Sequence, residues 1–215
     1  MSGPLKRVLI SQRCDKIEGR DETRDALDMR FAPILWHLGF VAIPVPNDTP
    51  NQRAYVEGLG ADAILLSGGN DIGAMPNRDA TEAALLDLSA AESLPVFAIC
   101  RGLQFLNQYQ GGTLAEVDKH VATRHQVNGP MMPKGRGVNS YHKMGISAAG
   151  LGCDLIPLAC AEDGSIEAAC HTSLPWLGIM WHPEREEELS YEDMQLMRQH
   201  LTGQTTANRL QNGEI

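Results

Sequence analysis

The sequence predicts an α/β protein: a doubly wound, mostly parallel sheet with helices on both faces, extended at one edge by antiparallel strands. Two patterns carry that expectation. From Arg7 to Asn107, short apolar runs alternate with segments of helical periodicity, the rhythm of parallel βαβ units covered on both sides. From Gly111 to Pro175 the chain changes character, with glycines, prolines and short strand-like runs of the kind that build hairpins.

Taken in order, Arg7–Ser11 is the first strand, and Gln12-Arg13-Cys14-Asp15 follows at its C-terminal end, where open α/β sheets place ligand groups. A polar loop leads to Thr23 as helix N-cap, with Leu27, Phe31, Ile34, Leu35 and Leu38 on one helical face and Gly39 as the stop. Val41–Val45 is a second strand, closed by Pro46, and a short helix is expected from Asn51 to Gly58. Asp62–Ser67 is a third, fully apolar strand ending in Gly68-Gly69-Asn70-Asp71. An alanine- and leucine-rich helix, Ala80–Ala91, returns the chain to the strand Val96–Ile99. A helix with Leu103, Leu106 and Tyr109 at helical spacing follows, ended by Gly111-Gly112. Asp163-Gly164 signals a hairpin between Leu155–Ala159 and Ile166–Cys170. Trp176–Trp181 is a last buried strand, and a helix from Tyr191 to Leu201 closes a single domain over residues 1–201. Residues 202–215 are polar and glycine-containing, and are expected to form a flexible tail.

The chain has 215 residues, 43% hydrophobic and 21% charged, enough for one sizeable core. Its net charge of −9 argues against a nucleic-acid or membrane-surface partner, either of which wants a basic patch. No run approaches the roughly 20 apolar residues of a membrane span. The five cysteines have no paired spacing, so reduced thiols and a cytoplasmic location are expected. His120, His125, His142 and His171 have no helical or hairpin spacing that pairs them with carboxylates or thiols. No metal site and no cofactor are expected on that ground. Trp36, Trp176 and Trp181 read as core or pocket wall.

The chemistry centres on Cys100, where the Val96–Ile99 strand stops and a helix begins at once. Ala98 and Gly102 flank it two positions away on either side. That is the logic of a nucleophile elbow, with the reactive group on a tight turn that bulky neighbours would obstruct. The helix N-terminus favours a thiolate there. A cysteine taken alone is more simply a buried structural thiol. The context gives weight to the alternative, together with His182-Pro183-Glu184 just past a strand end. Proline keeps that segment extended, so His182 and Glu184 can point the same way. The carboxylate would then accept from one ring nitrogen while the other exchanges a proton with the thiol. The plainer reading puts Glu184 in the solvated run Glu184–Glu188. The Gly68-Gly69 turn and Arg101 could offer two backbone N–H groups to an oxyanion, although Gly-Gly is also an ordinary βα turn.

Four stretches together carry a resemblance: Leu66–Gly69; Ala98–Gln104 with Asn107 and Gly111–Leu114; Val138–His142; and Gly178–Glu184. The chain resembles the class I glutamine amidotransferase superfamily, and within it the γ-glutamyl hydrolase branch of the γ-glutamyl-γ-aminobutyrate hydrolase type. The resemblance implies a Cys100–His182–Glu184 triad, an oxyanion hole from the N–H groups of Gly69 and Arg101, and glutamyl recognition by Gln104 and by the backbone around Ser140 and Tyr141; His142, which follows that segment, is then expected to line the pocket. The implied reaction is hydrolysis of a γ-glutamyl amide through a thioester. Ala98 departs from the family's usual glycine and tightens the turn by a methyl group. The chain is also shorter than the γ-aminobutyrate hydrolases. Ser11–Arg13, Arg24–Asp28 and Pro44–Asn47 resemble the γ-glutamyl-CDP-amidate hydrolases of surface-polysaccharide pathways. Arg13 and Arg24 then become candidates for a phosphate-bearing leaving group, since guanidinium binds phosphate bidentately; surface ion pairs are the plainer reading. A glutaminase that feeds ammonia to a separate synthetase, and a non-catalytic binding protein, are the alternative functions. A small γ-glutamyl substrate is the expected partner, and the oligomeric state stays open, a homodimer included.

Overall fold

A computed structural model describes residues 5–205 and 207–211. Strand β1 (Lys6–Ser11) is followed by a small hairpin, β2 (Arg13–Lys16) and β3 (Thr23–Ala26). Helix α1 (Phe31–Leu38), β4 (Phe40–Val45), α2 (Gln52–Leu59), β5 (Ala63–Leu66) and α3 (Pro76–Glu92) lead to β6 (Val96–Ile99) and α4 (Arg101–Tyr109). The second half runs β7 (Ala115–Glu116), β8 (Val121–Gly129), β9 (Met132–Tyr141), β10 (Met144–Gly145), β11 (Leu155–Ala161), β12 (Ile166–His171) and β13 (Trp176–Ile179). Helices α5 (Tyr191–Leu201) and α6 (Ala207–Gln211) end the described chain.

Nine strands form one sheet in the order β4-β1-β5-β6-β13-β12-β11-β8-β9. Strands β4 to β13 in that order are parallel, and every pair beyond β13 is antiparallel. The expected doubly wound parallel core with an antiparallel extension is therefore the fold, but the extension is as large as the core: four strand pairs are parallel and four antiparallel, so the sheet is mixed rather than mostly parallel. One core gathers Val8, Ile10, Leu65, Phe97, Leu177 and their neighbours, and another gathers Leu9, Ile64, Leu66, Val96 and Ala98 on the opposite face. Alternate residues of each central strand thus feed alternate faces, which is why these runs are apolar throughout.

The sequence reading misplaced several elements. Thr23 caps no helix: it begins β3, because Arg13–Lys16 pairs antiparallel with Thr23–Ala26, and the helix starts only at Phe31. Strands β8 and β9 have 9 and 10 residues rather than being short, and their partners are set by register rather than by apolar content. Trp36 is 58% exposed and so is neither core nor pocket wall, while Trp176 and Trp181 are buried. Within the stretch expected to be a tail, Ala207–Gln211 is helical and Leu210 packs into the core. Residues 206 and 212–215 of that stretch lie outside the described residues.

Among the described residues no helix is long and apolar enough to cross a membrane.

Candidate active site

The junction of β6 and α4 positions Cys100. Its backbone takes φ 52° and ψ −106°, outside the range that L-residues favour. Two glycines make room for this turn. A Cβ on Gly102 would come 2.5 Å from the Leu66 carbonyl oxygen, and one on Gly178 would come 2.7 Å from Leu103. Helix α4 therefore seats directly on β5 and β13, and the Cys100 N–H donates to the Ile179 carbonyl at 2.7 Å. Cys100 is 6% exposed, yet it borders a cavity.

His182 reaches Cys100 from beyond β13. Its Nδ1 lies 2.7 Å from Glu184 Oε1. The connecting segment is not extended as the sequence suggested. Pro183–Arg185 forms a 3-10 turn closed by Arg185 N–H donating to the His182 carbonyl. The fixed φ of proline suits the first position of such a turn as well as it suits a strand. Burial pulls the His182 imidazole down, but hydrogen bonds with Cys100 and Glu184 outweigh it and hold the group up at about 9. Gly68 packs against this ring, where a Cβ would come 2.8 Å from Cε1.

Two residues the sequence reading did not single out hold these groups in place. Asn139 grips both backbone polar groups of His182: its Oδ1 accepts from the N–H at 2.8 Å, and its Nδ2 donates to the carbonyl at 2.8 Å. Arg78, fully buried, donates to the carbonyls of Ser67 at 2.7 Å, Gly68 at 3.0 Å, and Gly69. No peptide here is cis, so the N–H groups of Gly68, Gly69 and Asn70 point away from Arg78. Arg78 is balanced by Glu82, which also pairs with the side chain of Arg101; Arg101 pairs with Asp79 as well. The signal for Asn139 was its place in the Val138–His142 stretch. Arg78 had none, since the carbonyls it binds lie past the end of β5, outside the pattern of its own helix.

The cavity holds about 270 Å³ and is bordered by Gly69, Cys100, Gln104, Tyr141, His142 and His182, among others. Gln104 donates to the Met144 carbonyl at 2.7 Å. Tyr141 stands edge-on to the His182 ring at 5.7 Å, with the Arg185 guanidinium 4.7 Å over its own ring. The Ser140 side chain is turned away and donates to the His120 carbonyl. Arg13 borders an adjoining cavity of about 230 Å³ with Asp28, Glu184 and Arg185, and its Nε donates to Asp15 at 2.7 Å. Gly69 and Arg185 border both cavities. Arg24 borders neither and pairs with Glu22 at 2.5 Å on the surface. The structure thus gathers Cys100, His182, Glu184, Gly69, Gln104, Tyr141 and His142, keeps Arg13 next door, and leaves Arg24 out.

Three of the four histidines argued apart by spacing are brought together, while His171 packs against Trp176 elsewhere. His120, His125 and His142 all surround the carboxylate of Glu167. All five cysteines are free thiols, with Cys153 exposed.

Residues 12–184 match the peptidase C26 family. The chain belongs to the peptidase C26 family. It is 34% identical to a γ-glutamyl-CDP-amidate hydrolase of Campylobacter jejuni, over 68% of this chain and 74% of that protein. It is 31% identical to a γ-glutamyl-γ-aminobutyrate hydrolase of Escherichia coli O157:H7, over 86% of this chain and 87% of that protein. A solved structure of a glutamine amidotransferase from Thermotoga maritima has the same fold, with a TM-score of 0.64 at 14% identity over 99% of this chain and 90% of that one. The family lies within the class I glutamine amidotransferase superfamily that the four sequence stretches resemble.

Proposed function

We propose that this peptidase C26 protein is a cysteine hydrolase of γ-glutamyl amides, with Cys100 as nucleophile, His182 as general acid and base, and Glu184 orienting the imidazole. The observation that carries the reading is the pair of hydrogen bonds that join His182 to Cys100 and to Glu184, with Cys100 and His182 both bordering one cavity. His182 takes the Cys100 proton, and the thiolate attacks the γ-carbonyl carbon. The C–N bond then breaks as His182 returns its proton to the departing nitrogen, leaving a γ-glutamyl thioester. Water enters, His182 removes its proton, the C–S bond breaks, and glutamate leaves with the thiol restored. The N–H groups of Gly69 and Arg101 serve the tetrahedral oxyanion. Arg78 supports this role for Gly69 by holding the loop's carbonyls on the far side.

The glutamyl portion sits against Gln104, Tyr141, His142 and the backbone at Ser140. The leaving group extends past Gly69 toward Arg13, whose guanidinium suits a phosphate-bearing group such as the CDP-amidate of the Campylobacter relative's substrate. The protein acts in the cytoplasm on a small molecule, without a nucleic-acid partner.

Glutamate release from glutamine, γ-glutamyl-γ-aminobutyrate and γ-glutamyl-CDP-amidate, with Cys100→Ala as control, tests the reading. Fast turnover of a conjugate that disappears in Cys100→Ala supports it. Glutaminase activity alone would point instead to a component that feeds ammonia to a synthetase.

A further inference from the structure

Behind the pocket wall lies a second cluster that shares His142 with the proposed glutamyl pocket but whose other members, His120, His125 and Glu167, the proposed reaction does not use. Glu167 on β12 is fully buried, yet among the described residues no lysine or arginine is paired with it. Strand β11 meets β8 only at Cys160 and Ala161 before turning at Asp163-Gly164. Beyond that turn the Glu167 carboxylate faces β8 directly, and three imidazoles close round it.

The outer hydrogen bonds fix which nitrogens point inward. His142 Nδ1 lies 3.0 Å from the Met144 carbonyl, which can only accept, so that nitrogen carries the proton and Nε2 presents a lone pair. His120 Nε2 lies 2.9 Å from Asp163 Oδ2, which likewise leaves Nδ1 as a lone pair. These two inward nitrogens are 3.3 Å apart, and each is 3.4 Å from Glu167 Oε1. In the neutral rings three acceptors therefore converge with no donor among them, and a cation at their centre would relieve the repulsion. Bonds of 2.0–2.1 Å to a tetrahedral zinc ion place its ligands about 3.3–3.4 Å apart, which is the spacing of this triangle. His125 stands beside this triangle, on the other oxygen of Glu167, as the candidate fourth ligand. Its Nε2 is 3.3 Å from Glu167 Oε2, and both its ring nitrogens and that oxygen are buried without a hydrogen-bond partner. His120, His125 and Glu167 each offer a ligand atom within 4.8 Å of the others.

We propose that His120, His125, His142 and Glu167 form a structural zinc site. Three imidazoles and one carboxylate are a donor set suited to zinc. Four protein ligands leave no open position for substrate, so the role is structural. Asp163 and the Met144 carbonyl orient two of the imidazoles from outside, as carboxylates and carbonyls do in histidine–metal sites. The Met144 carbonyl also accepts from Gln104, and the His120 carbonyl accepts from Ser140 and from the His142 N–H. A metal here would tie β8, the end of β9 and the β11–β12 turn to the wall of the cavity. The inference rests on these contacts and not on the hydrolase reading.

The test uses untagged protein carrying Cys100→Ala, so that the pocket thiol cannot bind metal. Total metal is measured after purification without chelator, and stripped protein is titrated with Zn²⁺ and with Co²⁺. The expected result is about one equivalent per chain, with tetrahedral cobalt absorption free of thiolate charge-transfer bands. Glu167→Gln should abolish binding. Asp163→Asn, half-exposed and able to keep the turn's hydrogen bonds from Ser165 through its amide oxygen, should weaken it about 10- to 100-fold. No saturable binding by the folded protein would mean that a proton alone bridges the cluster, and would overturn the proposal. Binding undiminished by both substitutions would overturn it as well.

Discussion

Glu184 Oε1 stands 2.7 Å from His182 Nδ1; both residues are buried, His182 capping the start of a 3-10 turn and Glu184 at its middle. Burial lowers the imidazole's proton affinity, whereas its hydrogen bonds with Cys100 and Glu184 raise it to about 9 from 6.5. A base with a raised folded-state pKa adds stability that is fully present below its unfolded value and is lost as pH rises through the folded one. Glu184→Gln should therefore cost most stability below about pH 6.5, with the deficit shrinking toward and beyond pH 9. Urea denaturation across that range reads it, and a deficit independent of pH would contradict the assignment. Glutamate release by the same variant should fall by roughly 10²–10⁴.

Asn139→Ala leaves the His182 N–H without its partner, while the His182 carbonyl loses one donor and keeps the Arg185 N–H. The orphaned buried N–H costs about 1–3 kcal/mol. If Asn139 also aims the ring, kcat should fall with little change in KM. A loss confined to stability would reduce its role to packing.

Gly102→Ala tests the elbow. The added methyl would press on the Leu66 carbonyl, which is backbone and cannot swing aside. A loss of about 1–3 kcal/mol is expected, as for overpacked cores. An unchanged denaturation midpoint would show that α4 does not need its close seat on β5.

Arg13 borders the cavity beside Gly69 rather than the one holding Gln104. Arg13→Ala should raise KM for γ-glutamyl-CDP-amidate roughly 10-fold or more, the loss of one charge-assisted contact of about 1.5–3 kcal/mol, and leave γ-glutamyl-γ-aminobutyrate nearly unaffected. Equal effects on both substrates would remove Arg13 from leaving-group recognition.

Much of the architecture was legible because central strands buried on both faces must be apolar. Val96–Ile99 halting at Cys100, and the turn at Asp163-Gly164, were visible as local patterns. Contacts set by register were not. His125 reaches Glu167 because β8 runs past the end of β11, and no spacing along the chain encodes that. Arg78 sits in a helix of unremarkable pattern, and its meaning comes only from the three carbonyls that β5 delivers to it. Thr23 looked like a cap because β-hairpin pairing with Arg13–Lys16 leaves no apolar trace in so exposed a strand.

The central claim is that a γ-glutamyl group passes through Cys100. Intact-protein mass spectrometry after acid quench, during turnover of a γ-glutamyl conjugate, tests it most directly. The account predicts a transient adduct of one γ-glutamyl group, localised to Cys100 by peptide mapping, sensitive to hydroxylamine and absent from Cys100→Ala. Glutamate release that continues undiminished in Cys100→Ala, without any adduct, would contradict it.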